Sequence, residues 1–165
     1  MAHGPQLQHT ETEVQGRELT VKRRFHAPRE LVFQAWTETK HLLNWWGPEG
    51  FTITQESMDV KQGGSWIYVM HGPDGTNYNN VIRYVEVERP ERIEYTHGEP
   101  GDEEQFRVSV AFADNDGQTD LTMIMVFKSA EELKIAAEQY GAIEGAKSTL
   151  NRLEQELATI IGEGQ

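Results

Sequence analysis

Apolar and polar residues change their spacing repeatedly along this chain, and each change marks a new element. From Glu18, the residues Leu19, Val21, Arg23 and Phe25 alternate with Thr20, Lys22, Arg24 and His26, which predicts a strand with one mostly apolar face. Ala27-Pro28 ends it, and Pro28 suits the first turn of a helix. Leu31, Val32, Ala35 and Trp36 then recur at helical spacing, and a second short helix is expected over Thr39 to Trp45. Gly47-Pro48-Glu49-Gly50 stops it.

Period two returns after Gly50. Phe51 and Ile53 share one phase, whereas Met58 and Val60 share the other, so a β-bulge is predicted near Gln55 to Ser57. Further strands are predicted at Ser65–His71, Thr76–Glu88, Arg92–Gly98, Glu104–Ala113 and Thr119–Phe127, separated by Gly- and Pro-containing turns. From Ser129 the period becomes 3.6, with Glu132 at the capping-box position and an apolar stripe from Leu133 to Ile160. Gly141 and Gly145 are expected to split this segment into a short lead-in and a long final helix. Residues 1–16 are polar and aperiodic, which predicts a flexible N-terminal tail ahead of a single domain over 17–165.

The predicted order is β-α-α-β6-α, an α+β class. A seven-stranded antiparallel sheet cannot leave its apolar face in water, so the long C-terminal helix must lie on it. The sheet is expected to curve around that helix and to enclose volume between them.

Composition narrows the function. With 15 basic and 27 acidic residues the net charge is −12, which argues against nucleic-acid binding and against anionic membrane surfaces. Eleven acidic and three basic residues fall between Glu86 and Asp120, expected to form a solvated outer sheet face; the alternative is a contact surface for a basic partner. The chain has no cysteine, so thiol chemistry and thiolate metal sites are excluded. No signal peptide or membrane span is legible, and a cytoplasmic location is the expectation.

The segments Phe25-His26-Ala27-Pro28-Arg29-Glu30-Leu31-Val32-Phe33-Gln34-Ala35-Trp36 and Trp45-Trp46-Gly47-Pro48 resemble the opening of a bacterial family related to the activator of Hsp-90 ATPase. Asp59, Gly63-Gly64, Gly72-Pro73-Asp74-Gly75, Tyr78 and Val85 to Ile93 fit the same pattern. Lys61 and Gln62 depart from the Arg and Pro often found before the glycine pair. The resemblance covers about Leu19 to Ile161. It implies a START-like (SRPBCC) helix-grip fold with a hydrophobic cavity, as in polyketide cyclases and birch-pollen-allergen-like proteins, but no single activity. The chain is expected to have no room for the additional domain of a chaperone activator, and a direct chaperone partner is not expected.

Aromatic stripes are the candidate site. Two adjacent indoles cannot both face inward on regular structure, so one of Trp45 and Trp46 is expected in the core, with the other capping the turn or lying over the cavity mouth. Trp66, Tyr68 and Met70 form one stripe, with Tyr78, Asn80, Ile82 and Tyr84 beside it. Together with Tyr95, Phe106, Met123 and Tyr140 these residues would line the cavity, opposite the small residues Ala136, Ala137, Gly141 and Ala146. His71 and His97 read as strand-end surface residues, and the histidine spacing matches no metal motif, so neither metal nor cofactor is expected. Arg83, Glu94 and Glu144 are expected to point outward.

Three functions remain open. The first is binding of a small hydrophobic or aromatic molecule between sheet and helix, without catalysis. The second is a cyclase or dehydratase using the same cavity, which requires an inward acid–base group such as His97, Glu94 or Glu144. The third is a protein-interaction module, with homodimerisation through an edge strand or through Ile124 and Val126 as a further option.

Overall fold

The computed structural model describes residues 10–163. Eight strands form one antiparallel sheet: β1 (Glu11–Gln15), β2 (Glu18–Phe25), β3 (Thr52–Met58), β4 (Ser65–His71), β5 (Asn77–Glu88), β6 (Arg92–Glu99), β7 (Asp102–Asn115) and β8 (Gln118–Phe127). The spatial order is β1-β2-β8-β7-β6-β5-β4-β3. Four helices complete the fold: α1 (Arg29–Thr37), α2 (Thr39–Trp45), α3 (Ala130–Gln139) and α4 (Ala142–Glu163). This is the helix-grip arrangement.

The sheet has one strand more than expected. Glu11–Gln15 was assigned to the tail, but it pairs with β2 through Glu11↔Lys22 to Gln15↔Glu18, and Gly16 turns between them at φ 62°. Its side chains are mostly exposed, so main-chain pairing along an edge holds it and no apolar alternation betrays it. Residues 1–9 of the expected tail lie outside the described residues.

The remaining elements follow the hydrophobic pattern. The bulge falls between Gln55 and Ser57, and it lets both Ile53 and Met58 pack on the core. Leu19, Val21 and Phe25 on β2 lie beside Leu121, Met123 and Phe127 on β8, and these beside Val108, Val110 and Phe112 on β7. One inward row runs across the sheet through Phe127, Phe106, His97, Ile82, Trp66 and Met58, fixed by successive strand registers. The Ser129 hydroxyl accepts from the Glu132 N–H and caps α3, and the helical segment breaks at Gly141, whose φ is 64°.

Leu150, Leu153 and Leu157 of α4 are buried against the sheet and against α1 and α2. Arg23 sits in an inward position of β2 and is only 8% exposed. Its guanidinium donates to the Asn151 side chain and lies 3.7 Å from Glu154, which ties β2 to α4. Burial pushes its pKa down, and Glu154 opposes that shift.

Six of the eleven acidic residues between Glu86 and Asp120 stand in ion pairs, Glu104 with Arg107 among them. Arg24 holds Asp120, Arg92 holds Glu86 and Glu94, Arg107 holds Glu94, Arg83 holds Glu103, and Lys128 holds Asp102. No helix among the described residues is long and apolar enough to cross a membrane.

If α4 is the clamp on the apolar face, Leu153→Ala will lower unfolding stability by about 2–5 kcal/mol in urea titrations, whereas Val14→Ala on β1 will change it by less than about 0.5 kcal/mol. Comparable losses would place the stabilising contact elsewhere.

Candidate functional site

Four tryptophans meet at one end of the space between helix and sheet. Trp36 comes from α1, Trp45 ends α2, Trp46 follows it, and Trp66 comes from β4. Their rings contact edge-to-face: Trp36 with Trp45 at 5.0 Å, Trp36 with Trp46 at 5.5 Å and Trp46 with Trp66 at 5.4 Å between centroids. Trp45 and Trp46 are 0% and 9% exposed, so both are inside, contrary to expectation. The cause is the helix end. Trp45 is the last helical residue, and Trp46 takes extended backbone with ψ 124°, so regular geometry does not continue across the pair. The Trp45 indole donates to Ala35 O at 3.0 Å, and the Trp46 indole donates to the Tyr68 hydroxyl at 2.8 Å.

Beside this cluster lies a pocket of about 240 Å³. β6, β7 and β8 supply Tyr95, His97, Phe106, Val108, Met123 and Met125, and α4 supplies Gly145, Ala146 and Leu150. Met70 and the turn Gly47-Pro48 close one side. Small residues on the helix leave this space open: a Cβ added at Gly145 would stand 3.5 Å from the Pro48 ring, in ordinary van der Waals contact.

Seven expected residues line the pocket: Trp45, Trp46, Met70, Tyr95, Phe106, Met123 and Tyr140. Tyr140 is 76% exposed and stands at the rim. Trp66 and Tyr68 are fully buried and do not line it; they stack on each other at 4.1 Å behind Trp46. Tyr78 does not belong to it. It is 44% exposed, and its ring lies 6.4 Å from Phe51 at the sheet margin. Asn80 is half-buried and does not line the pocket, but its Oδ1 lies 3.1 Å from His97 Nε2.

His97 was expected at the surface, yet it lines the pocket. Its parity with Ile93 and Tyr95 on β6 was the available signal, because alternate strand residues share a face. Its Nε2 lies 3.1 Å from both the Tyr68 hydroxyl and Asn80 Oδ1, and its ring packs on Phe106 at 4.9 Å. Burial pushes its pKa down to about 4, and burial pushes the Tyr68 and Tyr95 hydroxyls well above the usual range. These groups are therefore neutral near pH 7. Arg83, Glu94 and Glu144 lie outside, each in an ion pair. No group of three or more His, Asp or Glu among the described residues is placed to hold a metal.

A histidine that is neutral when folded couples stability to pH. Its folded value of about 4 lies below the ordinary 6.5, so the unfolded chain binds more protons between those values. The stability it contributes is complete above about pH 6.5 and is lost as the pH falls toward 4. Thermal melts between pH 7.5 and 4.5 should therefore show a steeper decline for the native protein than for His97→Gln; parallel curves would contradict this.

The sequence model of the family described as activator of Hsp90 ATPase homolog 1-like protein matches residues 26–158. No curated protein matches the chain. Among solved structures, protein Ms6760 from Mycobacterium smegmatis is 27% identical, with a TM-score of 0.81 over 92% of this chain and 97% of that one. A protein from Arthrobacter aurescens is 25% identical, with a TM-score of 0.83 over 93% and 92% of the two chains. The AHSA1 protein from Silicibacter pomeroyi is 26% identical, with a TM-score of 0.70 over 86% and 98%. The family match spans most of the residues that build the sheet, the tryptophan cluster and the pocket, and this chain belongs to the activator of Hsp90 ATPase homolog 1-like family.

Proposed function

We propose that this protein binds a small, largely apolar molecule, suited to a single aromatic ring, in the pocket between β6–β8 and α4. The observation that carries this reading is the pocket's composition: indole, phenyl, thioether and small aliphatic groups, with His97, Tyr95 and Thr149 as inner polar exceptions, the Thr149 hydroxyl already donating to Gly145 O at 2.8 Å. Size sets the ligand class. An apolar cavity of about 150 Å³ accepts benzene, so a space of about 240 Å³ suits one substituted ring. Rigid aromatic walls lose little entropy on binding, and the wall here is held by indole hydrogen bonds to Ala35 and Tyr68.

A cyclase or dehydratase reading draws on His97, the one histidine in the wall. It fits less well. General acid–base catalysis works best with a pKa near the operating pH, and burial moves His97 and Tyr95 in opposite directions away from neutrality. The described lining residues include no carboxylate to complete a pair. The interaction-module reading is weaker too, because many carboxylates of the acidic stretch already face arginine or lysine.

The test is a thermal-shift screen with substituted single-ring aromatics, with and without hydroxyl groups. A ligand at a hundred times its Kd should raise Tm by roughly 5–10 °C. Ala146→Phe fills the pocket from α4 and should abolish that shift while the protein stays folded by circular dichroism. Shifts of equal size in both proteins would move the binding site elsewhere, and no shift with any probe in the native protein would overturn the proposal.

A further inference from the structure

We infer that the pocket selects a neutral ligand that presents a hydrogen-bond donor, such as a phenol or alcohol O–H or an amide N–H, to Nδ1 of His97. This deepens the binding reading above and rests on it. Four polar groups form a chain, with Trp46 and His97 in the pocket wall and Tyr68 and Asn80 outside its lining. Asn80 Nδ2 donates to Tyr78 O at 3.0 Å, which fixes the orientation of that amide. A reversed amide would set two carbonyl oxygens against each other. Asn80 therefore turns Oδ1, an acceptor with no proton, toward His97 Nε2 at 3.1 Å. The Tyr68 hydroxyl, which already accepts from the Trp46 indole, lies at the same distance from Nε2. Asn80 Oδ1 can only accept, so its contact with Nε2 is a hydrogen bond when that nitrogen carries the proton. In a neutral imidazole the other nitrogen then bears a lone pair.

That second nitrogen, Nδ1, has no hydrogen-bond partner among the described residues, and it is not one of the polar atoms sealed away from any accessible space. It belongs to a side chain that lines the pocket. An accepting nitrogen on a largely apolar wall discriminates, because a buried acceptor left unmatched costs more than a made hydrogen bond contributes; the Thr149 hydroxyl already donates to Gly145 O. The Tyr95 hydroxyl on the same wall can donate or accept, so it selects neither sense. His97 accepts only. The charge of the ligand follows from the same wall. No lysine, arginine, aspartate or glutamate is among its described residues, so an anion or a cation would enter without a counter-charge. Burial of His97 in its neutral form points the same way.

The experiment compares para-ethylphenol, para-ethylanisole and para-ethylbenzoate by thermal shift and titration calorimetry near pH 7.5. The phenol and its methyl ether differ in the donor, and the benzoate adds a negative charge. The phenol should bind about three- to tenfold more tightly than the ether, and the benzoate more weakly than either. In Asn80→Ala the constraint on the Nε2 proton is removed, and the phenol-to-ether ratio should fall toward one. A long-range proton–nitrogen NMR correlation of the unliganded native protein reads the tautomer without any substitution: His97 should carry its proton on Nε2, and its Nδ1 signal should move when the phenol is added. Equal or tighter binding of the ether, or a proton on Nδ1, would overturn this inference and leave the binding reading intact. If none of the three probes binds, the binding reading fails and this inference fails with it.

Discussion

A single helix cannot cover the apolar face of an eight-stranded sheet. The 22 residues of α4 make a rod roughly 33 Å long and about 10 Å across, whereas eight strands span roughly 34 Å. Curvature of the sheet reduces the difference, and side chains from α1 and α2 fill part of what remains. The filling has to be bulky, because the gap widens away from the helix axis. Four indoles gathered at one end answer that demand, and the remainder, between β6–β8 and the small residues of α4, is the pocket. Pocket and core are thus two outcomes of one geometric mismatch.

The indoles bring a second constraint. Each carries one N–H, and a buried donor without a partner is costly. Trp45 meets a main-chain carbonyl of α1, Trp66 meets Gln55 at 3.1 Å, and Trp46 meets Tyr68. Only the last leads onward to His97 and Asn80, so a requirement of the core extends into the pocket wall. The Trp36 N–H is buried without a partner among the described residues. Packing and recognition therefore share residues, and a change at Tyr68 disturbs both although Tyr68 does not line the pocket.

Much of this was legible in the sequence, because period-two alternation records which side chains share a sheet face. Met70, Tyr95, Phe106 and Met123 were readable as inward-facing on that ground, as were Trp66 and Tyr68, which lie outside the pocket lining. The structure departs from the pattern where another cue competes with parity. His97 stands close to a turn, and that position outweighed its phase with Ile93 and Tyr95. The two adjacent tryptophans were judged as if the helix continued through both, whereas it ends between them. Tyr78 has the phase of the inner row but lies where the sheet reaches solvent, so the same face is core at one end of a strand and surface at the other. β1 left no trace, since a strand held by main-chain pairing at an edge needs no apolar side chains. The hydrogen-bond chain from Trp46 to Asn80 was beyond reach, because it depends on distances across three strands.

The turn at Gly47-Pro48 is joined to α4 by Arg152, whose guanidinium donates to Gly47 O at 2.8 Å, Pro48 O at 3.0 Å and Asn44 O at 2.9 Å. These acceptors are peptide carbonyls, which do not titrate. The joint thus contains no carboxylate whose protonation could loosen it, unlike the pairs on the outer face. Acidification that strips the exterior of its ion pairs leaves this corner of the pocket fastened to the helix that roofs it.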